Sequence, residues 1–353
     1  MSPFDAPSPQ GSQVPVGSVT GADGLLDGVG RRVAYLRVSV TDRCDLRCVY
    51  CMPKSMRFAP RPELLTLKEI DRLCEVFIGL GVRKLRLTGG EPLVRKGVLD
   101  LVDALGRHLR SGRLDELTLT TNATRLAGAA DALFRAGVRR VNVSLDTLDP
   151  GTYARITRGG RLADVHEGLA AAKAVGLKVK INVVALADDN RDELPALLAF
   201  AHRSGFDIAF IETMPLGEVE AERSDQYMSL SEVKDTLSAV WTLKPAAAAP
   251  LSGPARVFEV SETGGRVGFI TPLSDNFCAT CNRVRVTSTG VLHTCLGHDE
   301  GSDLRAPLRA DPADAPLVAA ILAALARKPV RHEFAIARGT APTVRRHMSM
   351  TGG

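Results

Sequence analysis

Cys44, Cys48 and Cys51 form a Cys-x3-Cys-x2-Cys run that directly follows an apolar segment and ends at Met52-Pro53. Three thiolates at this spacing can hold three corners of a [4Fe-4S] cube and leave one iron open to an outside ligand. A disulfide reading fares badly, because three cysteines leave one unpaired and nothing in the chain looks exported. Tetrahedral zinc would want a fourth ligand, and the nearest remaining cysteine, Cys74, falls in a helical pattern where a small buried hydrophobe is expected.

A second group, Cys278-x2-Cys281-x13-Cys295, lies near the other end of the chain. Spacing alone favours structural zinc here, since His298 would complete a Cys3His set. Arg283 and Arg285 tilt the balance back: two guanidinium groups immediately beside the ligands suit an anionic substrate better than a structural knot.

Elements that could position these groups are legible from periodicity. Apolar, β-branched runs at Arg32–Val40, Lys84–Thr88, Glu116–Thr121, Arg140–Leu145, Lys178–Leu186 and Asp207–Glu212 alternate with amphipathic helical patterns. The helix predicted over Thr66–Leu80 opens on a Thr66-x-x-Glu69 capping box and stops at Gly81. Six such units predict an α/β fold, a parallel sheet with right-handed crossovers curled into a partial barrel. Chemistry gathers at the carboxyl ends of such strands. Arg37, the Gly89-Gly90-Glu91-Pro92 turn, Thr120, Asn122, Ser144, Asp146, Lys180 and Met214 are expected there, late in a strand or just after one.

After Met214 the pattern changes to a helix over Ser231–Trp241, an Ala-Pro connector and a hairpin signature around Gly264-Gly265. Three parts are expected: a disordered arm over 1–30, the barrel over 31–215, and a smaller region over 216–353 carrying the second cysteines. The arm, rich in Pro, Gly and Ser, lacks the basic start and apolar middle of a signal peptide. The longest apolar run, Leu317–Ala326, is about half a membrane span and reads as a core helix. Seven cysteines without export signals point to the cytoplasm and to metal chemistry. The +5 net charge fits a phosphate-bearing small molecule, a nucleic acid or an ordinary surface alike and decides nothing.

Taken together, these segments resemble the GTP 3',8-cyclases, radical S-adenosylmethionine (SAM) enzymes of molybdenum cofactor biosynthesis. The resemblance runs from about Arg31 to the last residue. It rests on the first cysteine loop, Leu87–Leu93, Thr120–Asn122, Val143–Asp146, Lys180–Asn182, Phe210–Pro215, Cys278–Arg285 with Cys295, and the terminal Gly352-Gly353. It implies a partial (β/α)6 radical SAM barrel with a second [4Fe-4S] cluster in the C-terminal region. Cys44, Cys48 and Cys51 would hold the SAM cluster. Cys278, Cys281 and Cys295 would hold the other, whose open iron meets the guanine of GTP, and His298 becomes incidental. Tyr50, Gly90, Ser144 and Met214 match SAM-contacting positions; Arg37, Arg86, Thr120, Lys180, Arg283, Val284 and Arg285 match GTP-contacting ones. Gly352 and Gly353 would reach into the active site. The implied reaction is abstraction of the ribose C3' hydrogen by a 5'-deoxyadenosyl radical and closure of C3' onto C8, giving (8S)-3',8-cyclo-7,8-dihydroguanosine 5'-triphosphate. Implied partners are an electron donor, the cyclic pyranopterin monophosphate synthase that consumes the product, and a second copy of the chain in a homodimer; neither nucleic acid nor membrane is expected.

Two alternatives compete. A radical SAM peptide-modifying enzyme would share the barrel and an auxiliary cluster, but the cysteines here are too few for two auxiliary clusters and the chain ends in Gly-Gly. A metal-stapled RNA-binding protein would want aromatic residues interleaved with basic ones, and aromatics make up only 5% of the chain.

Overall fold

The computed structural model describes residues 20, 21, 24–247 and 253–352. Two short strands, β1 (Thr20–Gly21) and β2 (Gly24–Leu25), pair antiparallel. The repeating units follow: β3 (Tyr35–Ser39), α1 (Leu67–Gly79), β4 (Lys84–Thr88), α2 (Val98–Arg110), β5 (Glu116–Thr121), α3 (Ala130–Arg135), β6 (Arg140–Ser144), α4 (Pro150–Thr157), α5 (Leu162–Ala174), β7 (Lys178–Ala185), α6 (Leu194–Arg203) and β8 (Asp207–Glu212). Then come α7 (Arg223–Gln226), α8 (Leu230–Ser238), β9 (Leu243–Pro245), β10 (Arg256–Val260), β11 (Arg266–Ile270), β12 (Arg283–Val286), β13 (Val291–His293), β14 (Ser302–Asp303), α9 (Arg305–Ala310), α10 (Ala315–Ala326) and α11 (Met348–Thr351).

Strands β3 to β8 pair in sequence order, all parallel, as the six-unit reading predicts. Both edges of this half-barrel are closed by the C-terminal region: β12 pairs parallel with β3, and β11 pairs parallel with β8. Residues beyond 215 therefore continue the barrel sheet at its two ends, within one 12-stranded sheet.

A two-residue alternation divides each strand. Leu36, Val38, Leu85, Leu87, Leu117, Leu119, Val141, Val143, Ile181, Val183, Ile208 and Phe210 face outward into one buried apolar layer shared with the helices. Burying each such side chain contributes about 1.5–3 kcal/mol. Helix α1 shows how the sequence docks there: Thr66 accepts from the Glu69 amide at 3.1 Å while the Glu69 carboxylate accepts from the Thr66 amide at 2.6 Å. Its Ile70, Leu73, Cys74 and Phe77 are fully buried, so Cys74 is the core residue its spacing predicts.

The boundary at residue 30 needs correction. Residues 1–19, 22 and 23 of the expected arm lie outside the described residues. Residues 24–30, however, belong to the packed body: Leu25 is fully buried, and the Asp27 carboxylate accepts from the Arg31 amide at 2.9 Å and pairs with its guanidinium at 2.6 Å. The hydrophobic anchor Leu25-Leu26 is too short to show in a composition-based reading.

Candidate active site

The first cysteine loop leaves β3 and folds over the turn that ends β4. Gly90 donates to Thr41 O at 2.8 Å and Glu91 to Arg43 O at 2.8 Å, which binds the turn to the loop. Contact is too close for side chains: a Cβ on Gly89 would lie 2.5 Å from Thr41 O, and one on Gly90 would collide with the Arg43 carbonyl. Within the loop the Cys51 amide donates to Cys48 O at 3.0 Å, and Cys44 Sγ accepts from the Leu46 amide at 3.4 Å. Cys44, Cys48 and Cys51 are unbridged and open into one cavity of about 1030 Å³ with Thr88, Gly90, Tyr50, Thr120, Ser144 and Met214. Burial pushes the Cys44 thiol up to about 12, Cys51 to about 11 and Cys48 well above the ordinary value, and the neighbouring sulfurs add to it for Cys44 and Cys48. Three such thiols become thiolates only around a cationic centre, so the donor set fits an iron-sulfur cluster.

Tyr50, between the last two cysteines, donates its hydroxyl to Asp146 Oδ2 at 2.7 Å. Asp146 Oδ1 accepts from the Val184 amide at 2.8 Å, so the cysteine loop is tied to the ends of β6 and β7. Burial raises the Asp146 carboxyl to about 6. Ser144 closes β6, and Met214 follows β8.

The second group lies across the barrel mouth. Cys278 and Cys281 flank a short turn before β12, and Cys295 follows β13. All three are unbridged and share a cavity of about 830 Å³ with Tyr35, Arg37, Arg86, Phe277, Arg283 and Arg285. Burial alone would raise the Cys281 thiol, but Arg283, Lys328 and Arg285 outweigh it and bring it down to about 7. Burial raises Cys295. His298 is turned away, with Nε2 2.9 Å from Arg331 O, and does not line the cavity. Among the described residues no group of three or more His, Cys, Asp or Glu side chains closes around a single metal ion. His298 therefore does not complete a Cys3His set with these cysteines, and the histidine that lines their cavity is His332.

Asn182, Ile211 and Met214 line both cavities, so the two cysteine groups face one lumen from opposite sides. Cations stud its wall in register. Arg285 is paired with Arg37, and Arg37 with Arg86, across β12, β3 and β4; Arg283, Tyr35 and Lys84 form the next row. Thr120, Asn142, Lys180 and Asp207 form a third across β5 to β8. Arg37, Arg283 and Arg285 are buried, yet Nε of each, Nη2 of Arg37, Nε of Arg86, the Tyr35 hydroxyl and Thr120 Oγ1 find no hydrogen-bond partner among the described residues. Such an assembly of buried donors asks for an anionic, oxygen-rich ligand.

Three expectations about position are corrected. Arg37 and Lys180 are each the third residue of their strands, inside the barrel and not at its carboxyl rim, level with Arg86 within β4. Lys180 lines neither cysteine cavity; it sits with Lys84, Arg140, Lys178, Asp207 and Arg266 in a third cavity of about 1130 Å³ at the strands' amino ends. Val284 lies on the opposite face of β12 from Arg283 and Arg285, in the apolar layer, so only its main chain can reach the lumen side. Tyr35, Lys84 and Asn182 went unassigned in the sequence. Their signal was the two-residue period, which sets Tyr35 with Arg37, Lys84 with Arg86 and Asn182 with Lys180 on one strand face.

The C-terminus enters the same lumen. Met348 and Ser349 line the first cavity beside Cys51. Gly352, at φ 72°, is buried against Thr88, whose hydroxyl occupies the place a Cβ would take. Gly353 lies outside the described residues.

Comparison with known proteins agrees with this geometry. The sequence model of the radical SAM superfamily matches residues 38–201, and that of Molybdenum Cofactor Synthesis C matches 206–334. GTP 3',8-cyclase of Caulobacter vibrioides is 58% identical over 354 residues, covering 100% of both chains. Those of Erythrobacter litoralis and Rhodopseudomonas palustris are 57% and 58% identical, over 94% and 93% of this chain and 99% and 96% of theirs. Among solved structures, Streptococcus suis SuiB bound to S-adenosylmethionine superposes with a TM-score of 0.58 over 81% of this chain and 66% of its own. At 16% identity that likeness shows the fold alone. With two cysteine groups on one lumen and full-length identity near three residues in five, the chain belongs to the GTP 3',8-cyclase family of radical SAM enzymes.

Proposed function

We propose that the chain converts GTP into (8S)-3',8-cyclo-7,8-dihydroguanosine 5'-triphosphate, the first step of molybdenum cofactor biosynthesis. A [4Fe-4S] cluster and SAM belong to its radical SAM domain. Cys44, Cys48 and Cys51 would hold that cluster, which would supply the electron for cleaving SAM to the 5'-deoxyadenosyl radical that takes hydrogen from C3' of the ribose. Gly90 gives the methionyl end of SAM access to the backbone, while Tyr50, Ser144 and Met214 wall its other contacts. Cys278, Cys281 and Cys295 would hold a second [4Fe-4S] cluster, which would offer its open iron to the guanine.

The observation that carries this reading is the row Arg285, Arg37 and Arg86, buried or half-buried and partnerless at Nε, between the two cysteine groups. Arg283 and Arg285 grip the nucleotide beside the second group. Arg37, Arg86 and Lys180 continue the cationic path toward the amino-end cavity, where the triphosphate charge is balanced. Thr120 supplies a hydroxyl to the ribose side. Val284 contributes main-chain contact only. Closing the lumen with Met348–Gly352 keeps water from the radical and holds C3' near it.

An electron donor must reduce the first cluster, and a cyclic pyranopterin monophosphate synthase consumes the product; a homodimer in the cytoplasm is the working state. No helix among the described residues is long and apolar enough to cross a membrane. The peptide-modifying alternative shares only the fold. Anaerobic incubation with SAM, a reductant and each nucleoside triphosphate, followed by product mass analysis, is the test. GTP alone should yield 5'-deoxyadenosine and an isomer of GTP in equal amounts, from protein holding about eight irons per chain. SAM cleavage without any GTP-derived product would refute the assignment.

A further inference from the structure

Arg346 is held against the second cysteine group yet lines neither cavity. Its side chain is 6% exposed. The guanidinium donates to three carbonyls of the loop that begins at Cys295: those of Leu296 and His298, and that of Cys295 itself at 3.3 Å. Asp299 completes the knot, its carboxylate accepting from the Arg345 amide at 2.8 Å and the Arg346 amide at 3.4 Å. A planar fork that spans several carbonyls fixes the path of that loop, and the loop in turn fixes where residue 346 sits.

Three residues later the chain touches the first site. Ser349 lines the first cavity together with Cys51, and Gly352 seats on Thr88. Upstream, residues 337–341 are exposed, and the chain is tied to the segment after β8 by Val344, buried and paired with Pro215 and Gly217, and by Arg338 and Gly339 on Asp225 and Glu222. Between those ties and the first cysteine loop, the Cys295 loop is the anchor nearest to the tail.

We propose that Arg346 is a positioning residue that makes seating of the C-terminal tail beside Cys51 and Thr88 depend on a folded second cysteine loop, coupling radical generation at one group to assembly of the other. The proposal rests on the two-cluster reading above, and its readout is chosen to be separable from it. Hydrogen exchange of residues 348–352 is measured in the holoenzyme, without substrates, for the native chain, Arg346→Gln and Arg346→Lys, with iron content and the electron paramagnetic signal of each cluster recorded in parallel. Exchange in the tail should accelerate about tenfold in both variants, because lysine cannot span the carbonyls, while both cluster signals persist. GTP-dependent SAM cleavage should fall by a similar factor. Asp299→Asn, a milder lesion on the other side of the knot, should loosen the same residues less and serves if the arginine variants fold poorly. Cys278→Ala/Cys281→Ala/Cys295→Ala with Arg346 intact should also release the tail. Native exchange at 348–352 in the Arg346 variants, or loosening spread evenly over the chain, overturns the proposal. GTP-independent SAM cleavage in the native chain would instead overturn the functional reading and leave the exchange result standing.

Discussion

Arg37 and Arg86 are register partners on the adjacent parallel strands β3 and β4, and Nε of neither has a hydrogen-bond acceptor. The Arg86 guanidinium lies over the Tyr35 ring, 5.5 Å from its centroid, and the Glu116 charge also favours it. Two cations facing each other in a low-dielectric wall oppose folding and await an anion. Arg86→Met should accordingly raise the unfolding midpoint of the nucleotide-free protein, in line with the gain of about 1–4 kcal/mol seen when buried ions give way to apolar residues. The same variant should lose the midpoint rise that GTP gives the native chain. Calorimetry with and without GTP checks both. A destabilised variant that still responds to GTP would contradict the reading.

Arg283 and Arg285 make an independent case. Both are buried, and Arg283 stacks over the Phe277 ring with 5.2 Å to its centroid. Exchange of either for alanine should weaken GTP binding by roughly 1.5–3 kcal/mol per charged hydrogen bond lost, with little change in thermal stability. Lysine should rescue poorly, lacking the planar fork. Binding isotherms settle it; native affinity and turnover in both alanine variants would remove these residues from the substrate site.

Lys180 gives the site a pH dependence. Burial, reinforced by Arg86 and Arg140, lowers its ammonium from the ordinary 10.5 to about 8. The charged form is the one disfavoured, so fold stability from this group is greatest above 10.5 and falls as the pH drops through about 8. Nucleotide binding has the opposite sign. A triphosphate requires the ammonium charged, so binding above pH 8 takes up a proton and affinity should decline from pH 7.5 to 9.5, where phosphate ionisation, near about pH 6, no longer interferes. Lys180→Met should bind weakly with a flatter profile. Equal slopes in the native and methionine proteins would place the titrating group elsewhere.

Cys44, Cys48 and Cys51 share one loop, whereas Cys278 and Cys281 precede β12 and Cys295 follows β13, and among the described residues no main-chain hydrogen bond joins the two groups. Replacing Cys44, Cys48 and Cys51 with alanine should abolish SAM cleavage and leave about four irons per chain, whereas replacing Cys278, Cys281 and Cys295 should spare some uncoupled SAM cleavage and end cyclisation. Iron and sulfide analysis of the folded variants distinguishes this from a single interdependent site, which would lose all its iron in either case.

The barrel was legible because its helices and strands carry complementary periods: Leu36 and Val38 must face helices, so Tyr35, Arg37 and Ser39 must face each other's counterparts across the lumen. The cysteine loops were legible because ligand spacing is local. What stayed hidden depends on pairings far apart in sequence. That β12 would lie beside β3, aligning Arg285 with Arg37 across some 250 positions, follows from no local signal. The strand expected over Lys178–Leu186 begins where β7 does, so its bounds already set Lys180 third from the amino end, and the rim expectation for it conflicts with that reading. Arg346, an unremarkable arginine in a basic tail, gains its place only from the Cys295 loop folded around it.

The tail itself yields the last prediction. Chain ends are ordinarily frayed and dispensable. Here Thr351 and Gly352 are buried, the Gly352 amide donates to Met348 O at 2.8 Å, and the left-handed φ of 72° at Gly352 suits a residue without a side chain. Thr88, which would meet any Cβ there, belongs to β4 and lines the first cavity, so displacement of the tail would be felt at the SAM side and not at the second cysteines. Gly352→Val should be doubly penalised, by backbone strain and by collision with Thr88, and deletion of Gly352 and Gly353 should open the lumen to water. Both changes should reduce cyclisation by about tenfold or more while iron content and the signals of both clusters stay native. Gly352→Ala, a smaller intruder at the same strained φ, should fall between. Full-rate cyclisation by the deletion variant, with both clusters verified, would show that the buried end of this chain is merely packed there.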